Sequence, residues 1–375
     1  MAQTGTVISA GLNLRATPGG TIVDVLKQGA VVEIIESQNG FLKVNADGKT
    51  GFVAAKFIKQ DEGQPSQPDA PSPPAPAPAP ATSGSFHFEG NKAVAPDGTV
   101  FGRKNKLGIY NYGQTSIGQF VSAHSEVFTA LSPSRLSVMQ AVSANEGKLE
   151  AINTWDNAFL TFGAFQWTAG AGSGAGELVS LIARLKQSDE SVFNQLFGQS
   201  GLDVASVSSP PGQTPTGFFS LNGAPIRSAA DKAQKLRTLE RAYQFFKAGQ
   251  NDVMRRVEVE HAASRIDLFY KDASHRIKGL FVADFISSEA GVAMLLDEHV
   301  NRPGNVPTTL AGAVNQFITA SGKNNPQTWT DQDERTVLNI YIQRRNRTSM
   351  TDSQNRANSI LQSGLASTAR GSFQD

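Results

Sequence analysis

Short apolar runs alternate with polar residues and turn formers over residues 6–9, 12–15, 21–26, 31–35, 41–44 and 51–53. Runs this short, with a two-residue period and close spacing, predict a small β-barrel. From Gln64 to Ser85 the alternation disappears, and eight prolines between Pro65 and Pro80 stand among alanine and serine. Such a stretch has nothing to bury and favours an extended polyproline form, at about 3.1 Å per residue. Residues 86–128 read as β-rich and irregular, with Pro96-Asp97-Gly98 as a turn. Helical periodicity begins at Ser132-Pro133, an N-cap followed by proline at the first helical position, and runs to Glu146, with Gly147 as the stop. A β-hairpin is expected next, up to Trp167. Apolar residues then recur at helical spacing over 176–186, 228–246, 253–270, 280–299, 309–318 and 331–345. The Gly-, Pro- and Ser-rich segment 201–227 reads as a loop or small hairpin that walls a cleft. The fold class is therefore α+β: a small all-β barrel over residues 1–60, a proline-rich linker over 61–85, and a mostly α domain with a β-hairpin site over 86–375.

Composition narrows the function classes. Across 375 residues, 34 Lys and Arg balance 33 Asp and Glu, a formal charge of +1 that gives no electrostatic reason for a nucleic-acid partner. The one basic run, Arg344-Arg345-Asn346-Arg347, is expected on a solvated helix face. No stretch approaches the roughly twenty apolar residues of a membrane span. The absence of cysteine excludes disulfides and thiolate zinc sites. Glu260-His261 and Glu298-His299 lack metal-ligand spacing, so no metal and no cofactor are expected. Residues Met1-Ala-Gln-Thr-Gly carry neither the basic nor the apolar region of a secretory signal.

The candidate chemistry is concentrated between residues 143 and 167. Seven residues separate Met139 from Glu146, which on a continuous helix puts the two side chains about 20° apart. A carboxyl on that apolar face loses hydration of its charged form and keeps its proton near neutral pH, as a general acid must. Asp156 follows among Asn153, Thr154 and Asn157, a polar setting in which a carboxylate stays ionised. In an alternating strand Thr161, Gly163 and Phe165 share one face and Phe162, Ala164 and Gln166 the other. Trp155 and Trp167, two of the three tryptophans, flank the hairpin. They are sugar-stacking platforms or core anchors. The ordinary alternative for the acids is a solvated helix end at Glu146 and an Asx turn at Asp156. A second polar cluster ends the 280–299 helix, where Asn301 and Arg302 either reach a sugar or peptide carboxylate or cap the helix.

Glu146, Asp156 and Thr161 in this order resemble the phage-type lysozymes, whose acid ends a helix and is followed by an aspartate and a threonine on the adjoining hairpin. The run from Thr161 to Gln166 is also similar to the hairpin of lytic transglycosylases and chitosanases. The resemblance implies a muramidase cutting between N-acetylmuramic acid and N-acetylglucosamine. Glu146 would be the acid, Asp156 the carboxylate that activates water and Thr161 the hydroxyl that positions it. Trp155, Gln166, Trp167, Asn301 and Arg302 would bind substrate. Inversion with carboxyls roughly 6.5–9.5 Å apart is the matching expectation. Separately, Leu12-Asn13-Leu14-Arg15 to Pro18, Gly29, Gly40-Phe41-Leu42-Lys43-Val44 and Gly51-Phe52-Val53 resemble the bacterial SH3-like domain, which implies a wall-binding module with Phe41 and Phe52 at its ligand face. Phenylalanine stands at both positions where that family often has tryptophan. Together these resemblances imply peptidoglycan as the partner and action in the bacterial wall, periplasm or outside the cell. Left open are an immunity protein, a phage or secretion-machine partner, a lytic transglycosylase or chitosanase activity, and a non-catalytic wall-binding component.

Overall fold

The computed structural model describes residues 3–8, 11–17, 22–38, 41–60, 84–346 and 352–375. The chain divides into two compact units, Met1–Ala79 and Pro80–Asp375. The proline-rich segment 61–85 lies outside the described residues apart from Gly84 and Ser85, as do Ser9, Pro18, Thr21, Gly40 and Arg347.

The first unit is an antiparallel sheet of β1 (Gln3–Val7), β2 (Gly11–Arg15), β3 (Ile22–Lys27), β4 (Val31–Gln38), β5 (Phe41–Ala46), β6 (Lys49–Ala54) and β7 (Ile58–Gln60), in the order β3-β2-β6-β5-β4-β1-β7. Its core follows from the two-residue period: Leu12 and Leu14 of β2 and Leu42 and Val44 of β5 are buried, while Asn13 and Lys43 between them are half-buried on the other face. Asp47 and Gly48 join β5 to β6 with φ of 49° and 80°. Both lie in the left-handed region that a two-residue hairpin turn requires.

The second unit opens with β8 (His87–Glu89), β9 (Lys92–Val94), β10 (Val100–Asn105) and β11 (Gly108–Asn111). Pro96-Asp97-Gly98 makes the expected turn, with the Asp97 carboxylate accepting from Thr99 N at 2.9 Å. Helices α1 (Ile117–Ala123) and α2 (Pro133–Val142) interrupt the sheet, which resumes in β12 (Ile152–Asn153), β13 (Thr161–Phe162) and β14 (Trp167–Thr168). Neighbours in this antiparallel sheet are neighbours in sequence. The Ser132 hydroxyl caps α2 by accepting from Arg135 N at 3.2 Å. Val138, Met139, Ala141 and Val142 are buried where α2 packs against helices later in the chain. Full burial of Val138 or Met139 contributes about 1.5–3 kcal/mol each.

The remainder is mostly helical: α3 (Glu177–Ser188), α4 (Glu190–Leu196), α5 (Ala229–Lys235), α6 (Leu239–Ala248), α7 (Asp252–Ser264), α8 (Val282–Phe285), α9 (Glu289–Asn301), α10 (Val306–Ser321), α11 (Asp331–Asn346) and α12 (Ser353–Gln362). Between α4 and α5, strands β15 (Leu202–Ser208), β16 (Thr216–Leu221) and β17 (Ala224–Pro225) form a small antiparallel sheet. Two expected helices are each broken in two. Thr238 caps α6 through Arg241 N at 3.1 Å and separates it from α5, and Ser288 caps α9 through Gly291 N at 3.0 Å and separates it from α8. Arg345 also departs from expectation. It is 2 % exposed and paired with the buried Asp297 at 2.6 Å rather than solvated. Among the described residues no helix is long and apolar enough to cross a membrane.

Candidate functional site

Helix α2 ends at Val142, one 3-10 turn follows over Ser143–Asn145, and Glu146 comes next in extended conformation, with φ −108° and ψ 171°. The expectation that Glu146 sits inside the helix is corrected by one turn, yet its side chain remains only 8 % exposed. Burial pushes its pKa up to about 8, helped by the charge of Asp297 and opposed by Arg356. Arg356, on α12, donates from Nη2 to Glu146 Oε1 at 2.6 Å and to Asp297 Oδ1 at 2.7 Å. Asp297 is wholly buried and is held as well by Arg345 and by Asn145 Nδ2 at 3.0 Å. Glu146 is thus fixed from behind by three helices and opens forward onto a groove of about 850 Å³. Ser116, Gln119, Gln140, Ser143, Lys148 and Leu365 are among its walls, and Glu146 is the only carboxylate there.

The hairpin folds against the residue after Glu146. Gly147 N donates to Ala164 O at 2.9 Å, and a Cβ at Gly147 would lie 3.7 Å from Gln166 Nε2. Gln166 is exposed beside Glu146, and its amide donates to Gly163 O at 2.8 Å. The single alternating strand expected from Thr161 to Gln166 is corrected: β13 is two residues long, and Gly163 to Gln166 form the turn. Gly163 has φ +80°, and a Cβ there would collide with Glu258 Oε2 and with the Trp167 ring. Only glycine meets both demands.

Asp156 and Thr161 are linked through the sheet. Asn153 pairs with Thr161 and with Tyr110, Tyr110 with Arg103, and Thr161 with Thr168, so these five side chains share one face. Asn153 Nδ2 donates to Asp156 Oδ2 at 2.7 Å, while Asp156 Oδ1 accepts from Ala158 N at 2.9 Å. The carboxylate is therefore engaged in an Asx turn and is absent from the groove's walls. Arg237 donates to Asp156 O and lies 4.8 Å from the Phe159 ring centroid, fixing the loop. The Thr161 hydroxyl is buried with no hydrogen-bond partner in the protein.

Of the other expected site residues, Trp155 is half-buried with the Lys106 ammonium 4.6 Å from its ring centroid. Trp167 is corrected to a core anchor: it is 1 % exposed and packs edge-on against His261, 5.5 Å between centroids. Asn301 Nδ2 donates to Asp297 O at 3.1 Å and Arg302 N to Glu298 O at 2.7 Å, so both close the end of α9, and neither belongs to the Glu146 groove. The β15–β16 hairpin walls a different cavity, about 490 Å³, together with α3 and His261. Sequence reasoning missed Arg356, the cation nearest the acid. It carries no local signal, because its partner lies 210 residues away.

In the first unit, Phe41 pairs with Ala54 and Lys43 with Phe52, which puts both phenylalanines on the outward face. Both rings are half-buried, and the Lys43 ammonium stands 6.0 Å from the Phe52 centroid. Residues 10–59 match the bacterial SH3 domain. That domain is commonly a cell-wall-binding module, consistent with association with the wall. In the bacterial SH3 domain of this chain, Phe41 and Phe52 offer adjacent aromatic surface beside a cation. Neither a curated protein nor a solved structure matches the chain.

Proposed function

We propose that the protein is a peptidoglycan hydrolase of the muramidase class, brought to the wall by its bacterial SH3 domain. The observation that carries the reading is Glu146: a carboxyl with a pKa of about 8, facing a groove in which it is the only carboxylate. It gives its proton to the glycosidic oxygen between N-acetylmuramic acid and N-acetylglucosamine as the bond from the anomeric carbon to that oxygen breaks. Water then bonds to the anomeric carbon and gives its proton to Asp156, a role that requires this carboxylate to leave its Asx turn and turn to the groove. The unpartnered hydroxyl of Thr161, on the sheet face of Asn153, whose amide holds Asp156, supports a water-binding role. The wall-binding character of the bacterial SH3 domain supports peptidoglycan as the substrate.

A second reading rests on the engagement of Asp156 by Asn153 and Ala158. With that carboxylate committed, Glu146 acts alone. It first donates its proton and then recovers one from a hydroxyl of the same sugar, which closes on the anomeric carbon as in lytic transglycosylases. Digestion of purified sacculi followed by mass spectrometry tests both. Hydrolysis gives fragments carrying an added water, and the intramolecular route gives anhydro ends. Sacculus lysis that survives Glu146→Gln removes Glu146 as the acid. Wild-type protein that binds sacculi and releases no fragments overturns the enzymatic reading.

A further inference from the structure

The largest exposed aromatic side chain of the second unit stands next to the groove. Tyr112 is 78 % exposed and follows the end of β11, and its ring centroid is 5.0 Å from that of Tyr110. The contact between the rings places both on the same side, the side on which Tyr110 projects from β11. That side is the one shared by Asn153 and Thr161. A ring this exposed contributes little to any core, and with the Tyr110 ring tilted 53° beside it the pair offers contiguous aromatic surface of the kind that marks a contact site.

The segment after Tyr112 is fastened to the residues after Glu146. A Cβ at Gly113 would come within 2.6 Å of Lys148 Cβ, a closeness that together with φ +72° restricts the position to glycine. Gln114 N and Thr115 N both donate to Glu150 Oε2 at 3.0 Å, and Leu149 N donates to Thr115 O at 2.9 Å. Ser116 and Lys148 are walls of the Glu146 groove. Tyr112 therefore stands at the groove's rim, one residue from the glycine that packs on Lys148, and Tyr110 continues the surface along β11 toward Asn153.

We infer that Tyr112 and Tyr110 form an aromatic platform that carries amino-sugar rings of a glycan chain away from the Glu146 groove. The inference rests on the proposed glycan substrate. The apolar faces of pyranose rings stack on such surfaces, and a polymer leaving the groove over Lys148 meets Tyr112 first. The tyrosines are positioning residues, and their part is to hold the chain in register.

The probe is the linear hexamer of N-acetylglucosamine, titrated calorimetrically into full-length Glu146→Gln protein. Adding Tyr112→Ala is expected to weaken binding about five- to tenfold, the loss of one stacked ring, whereas Tyr112→Phe keeps the ring and the affinity. Tyr110→Ala weakens it less. In the wild-type background, Tyr112→Ala raises KM on solubilised glycan strands and leaves kcat little changed. Equal affinity for the Glu146→Gln parent and its Tyr112→Ala derivative, or no binding to either, overturns the platform. Fragment release by the wild type is read separately. Cleavage with Tyr112-independent binding defeats the platform alone. Tyr112-dependent binding without cleavage defeats the enzymatic reading and leaves the platform standing. An unchanged melting temperature of Tyr112→Ala shows that the exposed ring was not holding the fold.

Discussion

Glu146 and Glu258 are both buried glutamates beside the same hairpin, and burial raises the pKa of each above the carboxylate range. They differ in what surrounds the proton. Glu258, on α7, is 0 % exposed, accepts from Ala164 N at 3.3 Å and leaves Oε1 without a partner. Glu146 faces the groove and has Arg356 at 2.6 Å behind it. Burial explains why each keeps a proton. An opening to the groove lets that proton reach another molecule, and the guanidinium in direct contact stabilises the carboxylate left behind. Glu258 instead supports the turn from below, at the position where Gly163 has no side chain.

The comparison breaks first on activity. Glu146→Gln is expected to slow fragment release from sacculi by about 10²–10⁴-fold, the range for loss of a general acid, whereas Glu258→Gln, read in the same assay, leaves it little changed. Next is the ion network: Arg356→Met removes one of the two cations paired with the buried Asp297 and leaves it Arg345 and Asn145, and urea unfolding is expected to show a loss of about 3–5 kcal/mol. Gly163→Ala drives a methyl toward Glu258 at φ +80°. It should cost about 1–3 kcal/mol by the same measurement. The last test is the pH dependence of stability. With a folded pKa of about 8 against an ordinary 4.5, Glu146 holds a proton that the unfolded chain has released. Its contribution is full below pH 4.5 and is lost as pH rises toward about 8, with a slope approaching about 1.4 kcal/mol per pH unit. Unfolding curves at a series of pH values should show that slope flatten in Glu146→Gln. A slope that survives the substitution belongs to the other carboxyls that burial raises, Glu258 and Glu298.

What the sequence discloses and withholds has a physical pattern. The strands of the first unit, the Ser132-Pro133 helix start and the turn at Pro96-Asp97-Gly98 were readable, because each depends on residues within a few positions of one another, whereas the expected burial of Glu146 is supplied by residues from far along the chain. The breaks before α6 and α9 are written in Thr238 and Ser288, but the apolar periodicity continues across both and hides them. Arg345 looked like surface chemistry and Trp167 was open between a sugar platform and a core anchor, because an arginine or a tryptophan declares its type and not its depth. Arg356 and its link to Asp297 are long-range pairings that no spacing rule reaches. Tyr110 and Tyr112 became visible only once the sheet register put them on the face of Asn153.

Helix α12 carries a consequence in time. Arg356 follows Glu146 by 210 residues, and the tail beyond α12 returns to α2, where Ser132 donates to Gln374 O at 2.7 Å. Synthesis runs from the N-terminus at about 5–20 residues per second, so Glu146 exists for roughly 10–40 seconds before its counter-ion leaves the ribosome. A nascent or prematurely terminated chain has the groove's carboxyl without the guanidinium behind it. Synthesis of α12 is thus a built-in delay on the acid's final environment.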